Sequence, residues 1–218
     1  WDPIMGSHHS FLNDLECIRE MVDLVLPVLK NRDQERDQRI KELSEEIETE
    51  KGKGLRIKSG SDIKEFLGHI QKMRQGDRMF RQGVVTSVVS KFDEFIIDVL
   101  KISYRQNPGW LKNPDKKISY KELLEITSLE TLKDEIVAKE IDSLMRDSHF
   151  AQVAFLDGKL KLGIEKEFPS WLDFLEITER RNLFVHTGGT VSPQYLENCT
   201  KWGVALDKRL KEGTHLLA

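Results

Sequence analysis

From Phe11 the apolar residues Leu12, Leu15, Ile18, Val22, Val25, Leu26 and Leu29 recur at helical spacing, with Ser10 placed as an N-cap. Pro27 lies inside this run and predicts a bend, because proline removes a backbone donor. Over residues 31–53 charge takes over, and Ile40, Leu43 and Ile47 leave only a thin apolar seam. That pattern predicts a solvated helical extension, or a short coiled-coil contact with a partner. The stretch from Gly52 to Ser61 reads as a flexible basic connection. Residues 54–61 therefore separate an N-terminal segment, 1–53, from a helical domain over residues 62–218.

The domain opens with a short helix over Asp62 to Met73, carried by Ile63, Phe66, Leu67 and Ile70. A longer helix is predicted over residues 77–106, where Val85, Val88, Val89, Phe92, Phe95, Ile96 and Val99 trace one stripe. Lys91, Glu94, Asp98 and Lys101 fall on the opposite face. Asp93 breaks that order and projects beside Val89, Ile97 and Leu100. A carboxylate on an apolar flank needs a partner, because an unpaired buried charge costs several kcal/mol. It is either one half of an interhelical salt bridge or the group that orients a cation or imidazole of a site.

Pro108-Gly109-Trp110 and Asn113-Pro114-Asp115 mark a loop, and Ser119 with Glu122 fits a capping box before Leu123, Leu124 and Ile126. Ser128 and then Thr131 to Phe150 predict one helix, and Phe155 to Ile164 a short amphipathic piece ending at Gly163. Pro169-Ser170 opens a central helix that Gly188-Gly189 stops. Ser192-Pro193 starts a last helix through Tyr195, Leu196, Cys199, Trp202, Leu206 and Leu210. Strand alternation, internal repeats, P-loops, GxGxxG and HExxH are absent from the sequence, so the expected fold is all-α.

The central helix carries the candidate chemistry. On a wheel, Trp171, Phe174, Leu175, Thr178, Arg181, Asn182, Val185 and His186 fall within an arc of roughly 140°. Leu172, Ile177, Leu183 and Phe184 flank the arc, leaving Asp173, Glu176 and Arg180 as a wet strip. The helix is thus expected to be nearly all buried, its most apolar face ending in three polar side chains. Asn182 and His186, at i and i+4, can touch, and the Arg181 stem can bring its guanidinium to the same spot. Thr187 stands beside the glycine stop, at the negative end of the macrodipole, which favours positive charge there. Such a group is either a structural hydrogen-bond cluster or a site. As a site, the imidazole exchanges protons while the guanidinium holds a phosphate. That pair suffices for cleavage of RNA by its own 2′-hydroxyl without a metal.

Bulk properties narrow the partners. The 218 residues carry 34 cationic and 37 anionic side chains, a net charge of −3. No global basic field serves nucleic acid or membrane, so any such binding rests on a local patch. No apolar run approaches a membrane span and no signal-peptide pattern is present, which predicts a cytoplasmic protein with no membrane partner. Cys17 and Cys199 are expected as free thiols, and neither has metal-ligand spacing around it. Met5 to His9 looks like part of an expression tag, so His8 and His9 carry no functional weight.

Arg181-Asn182-Leu183-Phe184-Val185-His186 matches R-N-x-x-x-H, a form of the Arg-x4–6-His motif of the HEPN superfamily of all-α domains. The run His186-Thr187-Gly188-Gly189-Thr190-Val191 resembles members of that superfamily, as does the helix around Val89 to Phe95, where Asp93 fits the acidic position facing the motif. The section from Ile118 to Ile164 is similar to the spacer of larger stand-alone prokaryotic members, and the likeness covers roughly residues 62–212. The resemblance implies a homodimer whose two motifs form one composite cleft that cuts RNA with no metal and no cofactor. His186 would be the general base or acid, Arg181 would bind the scissile phosphate and Asn182 would position it. Asp93, with Thr187 supporting, would orient Arg181 or His186. Such proteins are toxins, antiphage effectors or RNA-processing components, and an antitoxin or defence-system protein is an expected partner. Other members keep the fold as non-catalytic nucleotide-binding or protein-interaction modules.

Overall fold

Helices dominate the computed structural model, which describes residues 3–49, 52–57, 62–111, 117, 119–125, 128–161 and 163–216. Helix α1 spans Pro3–Leu43 and α2 spans Asp62–Gln106; after a 3-10 turn at Pro108–Leu111 come α3, Tyr120–Glu125, and α4, Leu129–Met145. Then follow α5, His149–Leu160, the single turn α6, Ile164–Glu167, α7, Trp171–Thr187, and α8, Pro193–Trp202. Within the described residues the chain divides into two compact units, one of residues 3–15 and 86–216, the other of residues 16–85. This division falls inside the two long helices rather than at the expected 54–61 connection.

The first unit holds the main core. Ile96, Val99, Leu100 and Tyr104 of α2 pack against Val137 and Ile141 of α4 and Leu156 of α5. A second cluster joins Val153 of α5 to Trp171 and Leu175 of α7. Each aliphatic side chain buried this way contributes roughly 1.5–3 kcal/mol. The start of α1 closes on α2 through Phe11, stacked on Phe95 at 4.9 Å. Lys91 pairs with Asp14 at 3.4 Å, and Ser7 Oγ donates to Asp98 at 3.3 Å. Ser10 is therefore not a cap: the helix is already under way at Pro3, and His8 lies against the Phe95 ring.

In the second unit, α1 is half-buried at Ile18, Val22, Val25, Leu29, Asp33, Arg36, Ile40 and Leu43. These steps of three and four are the heptad seam of a helical pair. The two helices share grooves lined by Leu29 and Arg36 with Met73 and Asp77, and by Arg39 and Leu43 with Phe66 and His69. The coiled-coil pattern is thus met within the chain. The helix was expected to run on to residue 53, but it ends at Leu43, where Ser44 Oγ donates back to Ile40 O at 2.7 Å. A hairpin follows, β1, Ser44–Thr49, antiparallel to β2, Gly52–Ile57. Its register sets Ser44 opposite Ile57 and Thr49 opposite Gly52.

Other boundaries also moved. The two helices expected at 62–73 and 77–106 are one, because Met73, Asp77 and Phe80 carry the half-buried stripe past Gly76. One glycine costs about 1 kcal/mol in a helix interior, too little to break this one. The helix expected from Thr131 to Phe150 breaks at Arg146-Asp147-Ser148 instead. Ser148 Oγ accepts from Ala151 N, and Gln152 Nε2 donates to Asp147 O at 3.0 Å. Ser128 and Ser192, where the sequence places helix starts, cap α4 and α8, each accepting from the amide three residues on. The last helix stops at Gly203 (φ 77°) and does not reach Leu206 or Leu210. The chain then returns along the glycine stop, Leu216 N donating to Gly189 O at 2.8 Å. At Gly189 (φ 91°) a Cβ would stand 3.1 Å from the His215 ring in a left-handed backbone, so a side chain there is strained. The Asn113-Pro114-Asp115 turn, Ile126 and the end of the basic connection after Ile57 lie outside the described residues.

Candidate active site

A cavity of about 450 Å³ in the first unit gathers every side chain singled out from the sequence: Asp93, Arg181, Asn182, His186 and Thr187. Helix α2 supplies the acid and α7 the other four. Arg181 Nη2 donates to Asp93 Oδ2 at 2.7 Å, and Arg181 Nη1 donates to Asn182 Oδ1 at 3.1 Å. Asp93, on its apolar flank, thus has the partner it needs in the motif arginine. Both members of the pair keep about a fifth of their side-chain surface in water, so the attraction is only partly screened.

The second oxygen of Asp93 has a partner that the sequence did not suggest. His149 Nε2 lies 2.8 Å from Asp93 Oδ1. A carboxylate oxygen accepts only, so this nitrogen carries the donated proton. The His149 ring is buried between Phe92 and Phe174, at 6.3 and 6.2 Å between centroids, and Phe92 meets Phe174 edge-on at 4.6 Å. Aromatic packing thus fixes the imidazole, the imidazole and the arginine fix the carboxylate, and the carboxylate fixes the guanidinium.

Glu179, also of α7, is the second unforeseen member, only 6% exposed on the cavity wall. Burial pushes its carboxyl above the usual carboxylate range, opposed by Asn198 and by the charges of His149 and Arg181. Asn198 Nδ2 donates to Glu179 Oε2 at 3.0 Å. A signal for Glu179 was present, since it lies only about 20° beyond His186 on the wheel. No comparable signal existed for His149, because its position depends on the break before α5.

The outer end of the helix departs from expectation. Val185 is 53% exposed, and His186 and Thr187 are exposed too, so the arc does not stay buried to its end. The helix ends there: Gly188 (φ 61°) caps α7, its amide donating to Leu183 O. The Thr187 hydroxyl lies within 2.9 Å of Leu183 O and 2.7 Å of Thr190 O, which ties the helix end to the glycine turn. The expected wet strip is not all wet. Glu176 accepts from Arg180 at 2.8 Å and from the Tyr195 hydroxyl at 2.6 Å, anchoring α8 on α7. Burial and then Glu176 push the Tyr195 phenol far above its usual range, and burial lifts the free Cys199 thiol to about 11.

Chemically, the cavity offers a fixed guanidinium on its wall and a water-accessible imidazole at its rim. Such a pair can engage an anion and exchange a proton. Among the described residues no group of three or more His, Cys, Asp or Glu is disposed to hold a metal ion, and no helix is long and apolar enough to cross a membrane. Comparison of the chain with family models, with curated proteins and with solved structures finds no match.

Proposed function

We propose that this protein is a metal-independent endoribonuclease of the HEPN type, acting in bacterial defence or as a toxin. The observation that carries this reading is the meeting of Arg181, Asn182, His186 and Asp93 in one cavity, with Arg181 bonded to Asp93. In the proposed step His186 takes the proton from a 2′-hydroxyl, and that oxygen attacks the neighbouring phosphorus. The bond to the 5′-oxygen breaks, that oxygen leaves with a proton from a general acid, and a 2′,3′-cyclic phosphate remains. Arg181 offsets the charge that develops on the phosphoryl oxygens, and Asp93 with His149 holds it in position. A second copy across a two-fold axis supplies the second motif, its His186 placed as the acid. His186 suits this role through its exposure, which a purely structural imidazole would not need.

The test is incubation of the protein with total RNA in EDTA, beside Arg181→Ala and His186→Ala. Cleavage leaving 2′,3′-cyclic phosphate ends, lost in both variants, is expected, with light scattering reporting a dimer throughout. Equal cleavage by His186→Ala contradicts the assignment. One observation favours a second reading. The Arg181 Nη atoms already bond Asp93 and Asn182, which suits a non-catalytic, HEPN-like nucleotide-binding or protein-interaction module. That reading predicts no cleavage by any of the three proteins.

A further inference from the structure

The second unit contains a groove of about 550 Å³ between α1 and α2, with five arginines on its walls: Arg32, Arg36, Arg74, Arg78 and Arg81. Among the described residues Asp33 and Asp77 line it and Asp37 pairs with Arg36, so the five arginines outnumber these acids by two. Arg36 is held by Asp33 and Asp37, and Arg81 by Asp77. Arg32 and Arg74 are exposed and make no ion pair among the described residues. Like charges crowded on one groove repel, and an anionic occupant relieves that cost. The remaining walls, Leu29 and Met73, are aliphatic.

The candidate active site is the opposite case. Its cavity sets Arg146 and Arg181 against Asp93, Asp147 and Glu179, with no cationic surplus. The whole chain is net negative as well. An RNA held at such a cavity gains little from its walls against the charge of its own phosphates, and counterion release is the term that holds RNA on proteins. The arginine groove supplies that term locally. A guanidinium fork matches two phosphoryl oxygens at once, which a lysine cannot do.

We propose that the groove formed by Arg32, Arg36, Arg74, Arg78 and Arg81 is a binding site for the phosphate backbone of single-stranded RNA. The proposal rests on the ribonuclease reading for the choice of RNA over other polyanions. It assigns recognition to the second unit and chemistry to the first, so that most of the affinity is electrostatic and indifferent to base sequence.

The test uses the full chain and a fluorescein-labelled, fully 2′-O-methylated 30-nucleotide RNA, which binds but lacks the attacking hydroxyl. Anisotropy titrations from 50 to 200 mM NaCl give the dependence of affinity on salt. The paired variant Arg32→Ala/Arg74→Ala removes only exposed side chains without ion pairs, and circular dichroism checks its fold. Two lost phosphate contacts flatten the slope of log affinity against log salt by about 1.4, at roughly 0.7 for each. Between 50 and 200 mM NaCl the wild type is therefore expected to lose about sevenfold more affinity than the variant does. Lys30→Ala/Lys41→Ala, also exposed on α1 but outside the groove, serves as the control and keeps the wild-type slope.

An unchanged slope in the arginine variant overturns the proposal. So does a groove that binds labelled polyglutamate as tightly as the RNA, which would make it a site for an acidic protein. These failures are separable from failure of the ribonuclease reading. Cleavage of total RNA that depends on His186, with an unchanged salt slope, sinks the groove alone. A slope that flattens as expected, with no RNA ever cut, sinks the nuclease alone.

Discussion

The cavity around Asp93 and the groove around Arg32 both collect arginines, but they spend the charge differently. In the cavity, Arg181 is locked to Asp93, and Asp93 in turn to His149, so the guanidinium is aimed and nearly neutralised. In the groove, three acids meet five arginines, and two of the cations have no ion pair among the described residues. The difference teaches what each arrangement can do. A neutralised, fixed cation serves geometry at one atom. A cluster with a cationic surplus serves affinity along a chain of phosphates and is sensitive to salt.

The largest expected effect separates the two at once. Arg181→Ala and His186→Ala should each lower RNA cleavage at least about 100-fold, as loss of a positioned proton-transfer group or charge stabiliser does. His186→Ala should leave the salt slope of RNA binding, measured by anisotropy, unchanged, while Arg181→Ala should flatten it by no more than about 0.7, a single phosphate contact. A flattened slope in His186→Ala would merge the two roles that the comparison keeps apart.

Next is stability. Asp93→Ala strands Arg181 and His149 in the cavity wall and should cost roughly 2–4 kcal/mol, discounted from a fully buried network because the pair keeps some water contact. Urea unfolding measures it. A double-mutant cycle with Arg181→Ala should recover part of the loss, since one stranded charge is then gone. His149→Phe should cost less, about 1 kcal/mol: the ring packing against Phe92 and Phe174 survives and one hydrogen bond is lost. Cleavage should fall further than stability does, because Asp93 is then held from one side only.

A smaller effect depends on pH. The Glu179 carboxyl sits above its ordinary value of 4.5 in the folded chain, mainly through burial. The folded state therefore binds this proton more tightly than the unfolded state. Stability falls as pH rises from the ordinary glutamate range through the raised folded value. Glu179→Gln should remove this decline, read as a flatter dependence of the urea midpoint on pH across that interval. A steeper dependence would mean that Glu179 is stabilised as a carboxylate by Arg181 and His149. Smallest of all, Arg32→Ala/Arg74→Ala should shift the urea midpoint by no more than about 0.5 kcal/mol in stability, as exposed side chains do.

The parts of this contrast were unequally legible in the sequence. Asp93 stood out because one acid sat on an apolar flank, and Arg181, Asn182 and His186 because helical spacing alone aligns them. The glycine stop and the helix starts at Ser128 and Ser192 followed from local chemistry, which needs no tertiary contact. His149 could not be read, because the break at Arg146-Asp147-Ser148 depends on Gln152 bonding the carbonyls of that turn. The exposure of Val185 and His186 was also hidden, since a wheel assigns faces but does not know where the packing ends. The arginine groove was invisible for a related reason. Arg32 and Arg36 lie about 40 residues from Arg74 and Arg78, and only the pairing of α1 with α2 makes them neighbours. The hairpin was read as helix and loop, because Gly52, Gly54 and the charges around them carry no alternation.

The central claim is that His186 and Arg181 cut RNA through its own 2′-hydroxyl. The most direct measurement takes an end-labelled RNA that the protein cuts at one position, and a copy bearing a 2′-O-methyl group at that nucleotide alone, both in EDTA. The account predicts that the first is cut to a 2′,3′-cyclic phosphate end, while the methylated copy is bound equally well and stays whole at that position. Cleavage of the methylated copy at that same bond would contradict it.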